Sequence, residues 1–141
     1  MVKATVRSDL EISNIRKSGQ ILTKVLDKLV ASAKPGVTSE ELDKIAREET
    51  EKLGGKPAFL GYQGFPATVC VSVNNEIVHA IPNKKQFRNG DLIGIDYGVN
   101  YKGMITDAAR TISLGKPNKD AKKLLEGCYE ALQKALDIIS D

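Results

Sequence analysis

The sequence predicts an α+β fold in which helices cover an antiparallel sheet. Two stretches with the apolar spacing of helices come first, several short strand-like runs follow, and a third amphipathic helix ends the sequence. Helices and strands that are grouped along a chain in this way are typical of α+β domains. With 141 residues, of which 41% are hydrophobic, the chain is long enough to form a single domain over residues 1–141.

The first two helices have recognisable boundaries. Apolar residues recur at intervals of three and four over residues 8–33, and the proline and glycine of 33–37 end this pattern. Thr38 and Glu41 have the spacing of a capping box. A second helix is therefore expected over 39–53, where the two following glycines stop it.

Strand-like runs occupy the middle of the sequence. Residues 67–73 are rich in β-branched side chains, and 76–81 predict a second short strand after an Asn-Asn turn. Residues 91–99 and 104–114 predict the two strands of a hairpin, and helical spacing returns from about residue 118.

Two aspartates, Asp96 and Asp107, lie in this hairpin among apolar and small neighbours. A turn centred between Tyr101 and Lys102 would place them directly opposite each other, with their Cβ atoms about 4.5–5.5 Å apart. Such carboxylates repel unless one is protonated or both bind a cation. The alternatives are that both carboxylates are simply solvated, that Arg110 neutralises one of them, or that a register slipped by one residue puts the side chains on opposite faces.

Two further features suggest a site. Residues 56–66 combine three aromatic residues with glycine and proline, which indicates a shaped loop whose rings face a cavity or pack on a neighbour. His79 is the only histidine. It is either a structural hydrogen-bonding group or a proton donor that works near neutral pH.

The composition disfavours several classes of protein. The net charge of +3 is spread among interspersed acids and bases, which indicates a solvated surface and no nucleic-acid patch. No apolar run approaches the ~20 residues that cross a bilayer, so no membrane partner is expected. The first residues lack the apolar region of a signal peptide, and the two cysteines form no C-x-x-C pair. We therefore expect a reducing, cytoplasmic location.

Three segments carry a family resemblance. They are FLGYQGFPATVCVSVNNEIVHAIP (59–82), NGDLIGIDYGVNYKGMITDAART (89–111) and LGKP (114–117). Together they resemble type I methionine aminopeptidase, a metallopeptidase of the pita-bread fold that removes the initiator methionine from nascent proteins. The resemblance extends over essentially the whole chain.

The resemblance implies roles for individual residues. Asp96 and Asp107 would be two of the ligands of a pair of divalent metal ions, which are cobalt, manganese, iron or zinc in such enzymes. His79 would contact the scissile peptide and help to stabilise the transition state. Asn74 would belong to a monovalent-cation site. The residues implied for the methionine side chain and substrate are Phe59, Tyr62, Phe65, Cys70 and His79.

Two departures from the family pattern limit these expectations. Ala80 stands where the family usually has glycine, and no histidine follows His79, although the family takes one histidine and two glutamates from its second half. The chain is therefore expected to be the N-terminal half of the fold, truncated or split, and inactive alone or dependent on a partner chain. An exposed apolar face would favour a homodimer. A non-catalytic binding module and an Xaa-Pro aminopeptidase are the alternatives.

Overall fold

A computed structural model describes residues 5–139, which form a four-stranded antiparallel sheet with two helices packed on one face. The elements are α1 (Asp9–Ser32), α2 (Ser39–Lys52), β1 (Lys56–Pro57), β2 (Val69–Val73), β3 (Leu92–Tyr101), β4 (Met104–Ser113) and α3 (Lys119–Ile139). Strand β3 is central, because β4 pairs along its whole length while β2 and β1 share its other edge. The α+β prediction is confirmed.

Capping boxes begin both helices that cover the sheet. The Ser8 hydroxyl accepts a hydrogen bond from the Glu11 amide at 3.3 Å, and the Glu11 carboxylate accepts one from the Ser8 amide at 2.8 Å. Thr38 and Glu41 repeat the arrangement at 3.3 and 2.7 Å. Each box satisfies amide groups that a helix start otherwise leaves unpaired, so the predicted start of the second helix is confirmed.

The core lies between these helices and the odd-numbered side chains of β3. Ile95, Tyr97 and Val99 of β3 are fully buried against α1 and α2. The Tyr97 hydroxyl is hydrogen-bonded to the Thr50 hydroxyl inside this core. Burial raises the pKa of Tyr97 to about 12. Since side chains alternate along a strand, the even-numbered residues of β3 point to the opposite face, which α1 and α2 do not cover.

Two polar contacts fix the sheet relative to the helices. Ser18 of α1 donates a hydrogen bond to the Val99 carbonyl at 2.9 Å, and its hydroxyl lies 2.9 Å from that of Thr106 on β4. The Asp43 carboxylate of α2 accepts hydrogen bonds from the amides of Thr68 and Val69 at 2.6 and 3.1 Å. The second contact sets the position at which β2 begins beside β3.

The last helix contributes little to the core. Helix α3 has no buried residue, and Leu124, Tyr129 and Leu132 are exposed. Asn118 accepts a hydrogen bond from the Ala121 amide at 2.8 Å and so caps its start. Over residues 5–139, no helix has the length and apolar character needed to span a membrane.

The strand predicted over 76–81 is wrong. This segment is irregular, and His79 within it has a φ value of +57°. Left-handed backbone cannot continue an extended strand. The Val71 amide donates a hydrogen bond to the Ala80 carbonyl at 3.3 Å, while Ile77 is 89% exposed. The segment thus touches the edge of β2 without forming a ladder.

Candidate metal and substrate site

A cavity of about 570 Å³ opens on the face of the sheet opposite α1 and α2. Its lining residues come from β2, β3, β4, the segment 76–81 that follows β2, and residues 56–66, which we call the aromatic loop. The lining residues are Phe59, Tyr62, Gln63, Gly64, Phe65, Pro66, Cys70, His79, Ile81, Asp96 and Asp107. The residues named from the sequence therefore share one cavity, with the exception of Asn74.

The predicted pairing of the two aspartates is wrong in detail. Tyr101 pairs with Met104, so the turn is centred one residue later, and Asp96 lies opposite Ala109 while Asp107 lies opposite Gly98. Lys102 and Gly103 hold the left-handed turn positions, with φ values of +51° and +85°. This two-residue turn suits the twist of the strands. The shift moves the pairing by two positions, and the aspartates become diagonal neighbours on the same face.

The two carboxyl groups remain close enough to perturb each other. Burial raises the pKa of Asp96 above its ordinary value of 3.8, and the charge of Asp107 and a hydrogen bond with it raise this pKa further. His79 acts in the opposite direction on Asp96. Arg110 does not neutralise the pair, because its guanidinium binds Asp27 on the helical side of the sheet. A partly buried acidic pair of this kind favours a bound cation.

His79 lies at the edge of the cavity in an unfavourable backbone conformation. Its φ of +57° is uncommon for a residue with a Cβ atom and costs free energy that surrounding contacts must offset. The hydrogen bond to the Ala80 carbonyl is one of those contacts. The His79 side chain is close enough to Asp96 to interact with it electrostatically. His79 is also exposed, so it is accessible to a ligand in the cavity.

The aromatic loop is stabilised by its own backbone. The Tyr62 amide donates to the Phe59 carbonyl, the Phe65 amide to the Tyr62 carbonyl and the Gly61 amide to the Phe65 carbonyl, each at 2.9 Å. Gly61, at a φ of +81°, provides the reversal that this compact turn requires. The three rings therefore reach the cavity from one hydrogen-bonded unit.

Asn74 lies outside this cavity. Its side chain donates a hydrogen bond to Asp91 at 2.9 Å and accepts one from the Leu92 amide at 3.0 Å. These contacts join the end of β2 to the start of β3. Its role in a monovalent-cation site stays a prediction.

The donor set fits part of a divalent-metal site. Carboxylate oxygens suit hard divalent cations, and over residues 5–139 neither Asp96 nor Asp107 has an ion pair with a basic side chain. Within the same residues, no group of three or more histidine, cysteine, aspartate or glutamate side chains could hold a metal ion. Asp96 and Asp107 would therefore supply two ligands, and further ligands are needed to complete the site.

The thiol of Cys70 is expected to resist alkylation, whereas Cys128 should react. Cys70 is buried, and burial followed by the charges of Asp96 and Asp107 raises its pKa to about 11. The thiolate is the reactive form, so Cys70 should stay unmodified near pH 8 and begin to react only as the pH approaches 11.

Iodoacetamide labelling followed by peptide mass spectrometry measures both thiols in one sample, with the exposed Cys128 as the internal control. Equal labelling of the two cysteines at pH 8 would contradict the burial of Cys70 in the wall of the cavity.

Gly98 was missed as a site residue by the sequence reasoning. Its position inside a strand is the signal that could have identified it, since glycine there often marks the close approach of another group. In the structure, the ring of Phe59 lies against it. Four residues that line the cavity were also not predicted as site residues: Gln63, Gly64, Pro66 and Ile81.

Comparison with known proteins places the chain in a family. The model of metallopeptidase family M24 matches residues 13–141. The chain belongs to metallopeptidase family M24. The family consists of metal-dependent peptidases, which agrees with an acidic pair that lacks a basic partner. The resemblance found in the sequence is confirmed at this level.

Individual relatives refine the position of this M24 chain. The methionine aminopeptidase of Aquifex aeolicus is 45% identical over 137 residues, which cover 92% of this chain and 53% of the relative. A crystal structure of methionine aminopeptidase from Thermotoga maritima matches with a TM-score of 0.91 and 35% identity, over 94% of this chain and 54% of that one. This M24 chain thus spans about half the length of these relatives.

Prolidase from Pyrococcus furiosus is also similar to this M24 chain in structure. The TM-score is 0.83 at 25% identity, over 92% of this chain and 37% of the prolidase. The fold is therefore shared by both kinds of peptidase, and the pita-bread prediction is confirmed. The methionine aminopeptidases of Aquifex aeolicus and Thermotoga maritima are more similar in sequence, at 45% and 35% identity.

Proposed function

We propose that the chain provides the N-terminal half of a methionine aminopeptidase active site, which removes methionine from the N-terminus of nascent proteins. The observation that carries this proposal is the convergence of Asp96, Asp107 and His79 with the aromatic loop in one cavity. Support comes from the relative in Aquifex aeolicus, whose name is methionine aminopeptidase.

Each part of the cavity has a task in this proposal. Asp96 and Asp107 hold a divalent cation, which would polarise the peptide carbonyl and acidify the attacking water. His79 donates a hydrogen bond to the scissile peptide and so favours the charge that develops in the transition state. Phe59, Tyr62 and Phe65 surround the methionine side chain, whose polarisable thioether packs well on aromatic rings.

The proposal also covers the metal and the partners. Cobalt, manganese, iron or zinc would fill a two-metal site whose other ligands come from the half of the relatives that this chain does not match. That half, or a second copy of this chain, would also cover exposed apolar residues such as Leu124 and Leu132. A cytoplasmic location belongs to the same proposal, since nascent chains are the substrate.

Cleavage of Xaa-Pro peptides is the second candidate. The structural similarity to the prolidase of Pyrococcus furiosus favours it, because that match covers 92% of this chain. Its 25% identity is lower than the 45% of the Aquifex aeolicus methionine aminopeptidase. We therefore place it after methionine removal.

A calorimetric titration with manganese tests the metal-binding part of the proposal. The wild-type chain is expected to bind manganese, and Asp107→Asn should weaken binding by more than about tenfold, because loss of even an outer-sphere partner has effects of that size. Asp27→Asn is the matched control, since Asp27 is an exposed carboxylate on the other side of the sheet. Uptake that is unchanged in Asp107→Asn, or absent from the wild type, would favour a non-catalytic binding module.

A further inference from the structure

The ring of Phe59 packs directly on the backbone of Gly98 in the central strand β3. A Cβ atom built on Gly98 would lie 2.7 Å from Cε1 and 3.2 Å from Cδ1 of Phe59, and 3.1 Å from Cβ of Ala58. A separation of 2.7 Å is far inside normal van der Waals contact between carbons. The ring can therefore occupy its position only because residue 98 has no side chain.

The backbone around Phe59 is tied on both sides, so the ring cannot move away as a whole. The Ala58 amide donates a hydrogen bond to the Gly98 carbonyl at 2.9 Å, and the Tyr62 amide donates one to the Phe59 carbonyl at 2.9 Å. A side chain at position 98 would have to be accommodated mainly by rotation of the Phe59 ring, which makes the closest contact, together with a small shift at Cβ of Ala58. The ring lines the cavity, so this rotation changes the space available there.

Gly98 also lies next to the two aspartates of the candidate metal site, Asp96 and Asp107. It is paired with Asp107 across the β3–β4 ladder and is two residues from Asp96 on the same face of β3. The Phe59 ring therefore borders the part of the cavity that adjoins the acidic pair. A change of its position would alter the compartment that receives a side chain close to the reacting bond.

We propose that Gly98 is a specificity-determining residue that acts through Phe59, by setting the width of the compartment for an unbranched N-terminal side chain beside Asp107. The inference rests on the proposed function. It adds a residue that positions the wall of the compartment without touching the substrate.

The test compares Gly98→Ala, Phe59→Ala and the double variant in the 141-residue chain. Methionine amide is the probe, and its dissociation constant is measured by NMR titration in the presence of zinc. Gly98→Ala should weaken the binding of methionine amide about tenfold. An effect of this size is typical when the space in a hydrophobic pocket changes by roughly one methylene group. In the Phe59→Ala background the same substitution should change binding by less than about twofold, because the ring that transmits the effect is absent.

Gly94→Ala is the matched control on the same strand and face. A Cβ atom there would meet the Ser72 carbonyl oxygen at 3.7 Å and Oγ1 of Thr111 at 3.8 Å, which are ordinary contacts. This variant should bind methionine amide like the wild type. The double variant keeps the test decisive if Gly98→Ala folds poorly, since removal of the ring removes the closest clash.

A second readout needs no ligand and separates this inference from the proposed function. The Phe59 ring should shift the α-proton resonances of Gly98, and Phe59→Ala should abolish that shift. An unchanged resonance would overturn the inference whatever the chain binds. Equal losses from Gly98→Ala with and without the ring would also overturn it. If the ring shift is present but methionine amide does not bind the wild-type chain, the specificity role of Gly98 fails, whereas the proposed function is judged separately by manganese uptake that depends on Asp107.

Discussion

A polypeptide of residues 1–141 is expected to release no measurable methionine from a Met-Ala-Ser peptide, even with added manganese or cobalt. Asp96 and Asp107 supply two carboxylates, and no three-ligand group exists within residues 5–139. Removal of one preorganised donor from an active site already costs about 10²–10³ in rate. Absence of most ligands of a two-metal site should therefore lower turnover by more than about 10³-fold.

A discontinuous assay of free methionine measures this expectation. The methionine aminopeptidase of Aquifex aeolicus, assayed under the same conditions, is the positive control. Turnover by the 141-residue chain within about tenfold of that control would show that two carboxylates and one histidine suffice, contrary to the requirement for a fixed metal environment. A peptide with proline at its second position, assayed in parallel, tests the Xaa-Pro alternative.

Leu29→Ala should be among the most destabilising single changes in the chain, at about 2–5 kcal/mol of unfolding free energy. Leu29 of α1 is 0% exposed in the core cluster that also contains Val25, Ile95 and Tyr97. The substitution removes apolar contacts and leaves a cavity that the packed sheet cannot close. Urea denaturation followed by circular dichroism gives the difference.

Leu10→Ala is the matched control for this measurement. It is the same substitution in the same helix, but Leu10 is 71% exposed. Its effect should stay within about 0.5 kcal/mol, as for most surface positions. A loss of similar size in both variants would mean that burial against the sheet does not determine the stability contribution of α1.

Local signals in the sequence were sufficient for the helices. Thr38 and Glu41 satisfy helix-start amides within a few residues, so their spacing alone locates the start of α2. The β3–β4 hairpin was likewise found, because its two strands adjoin a short turn. The pairing of Lys56–Pro57 with β3 was missed, since two residues carry no periodicity and the partner is more than forty positions away.

The sequence predicted which residues meet in the candidate site, but it did not predict their relative positions. The two aspartates share a face, yet their register depends on whether Lys102 and Gly103 or their neighbours take the turn positions, which the sequence did not settle. The strand predicted over 76–81 was wrong for a related reason, because it also depended on the backbone conformation of single residues. Ile77 and Val78 look like strand residues, but the left-handed backbone at His79 interrupts the extended conformation.

Because side chains alternate along β3, one face of the strand packs in the core and the other carries the candidate site. Odd positions such as Ile95 and Tyr97 pack against the helices, while even positions such as Asp96 and Gly98 lie on the opposite face, where Asp96 lines the cavity and the Phe59 ring covers Gly98. Substitutions on one face can thus be selected for reactivity while those on the other are selected for folding. Directed evolution of this strand is therefore expected to tolerate changes at even positions other than Gly98, where a Cβ atom would meet Phe59, and to leave the hydrophobic core intact.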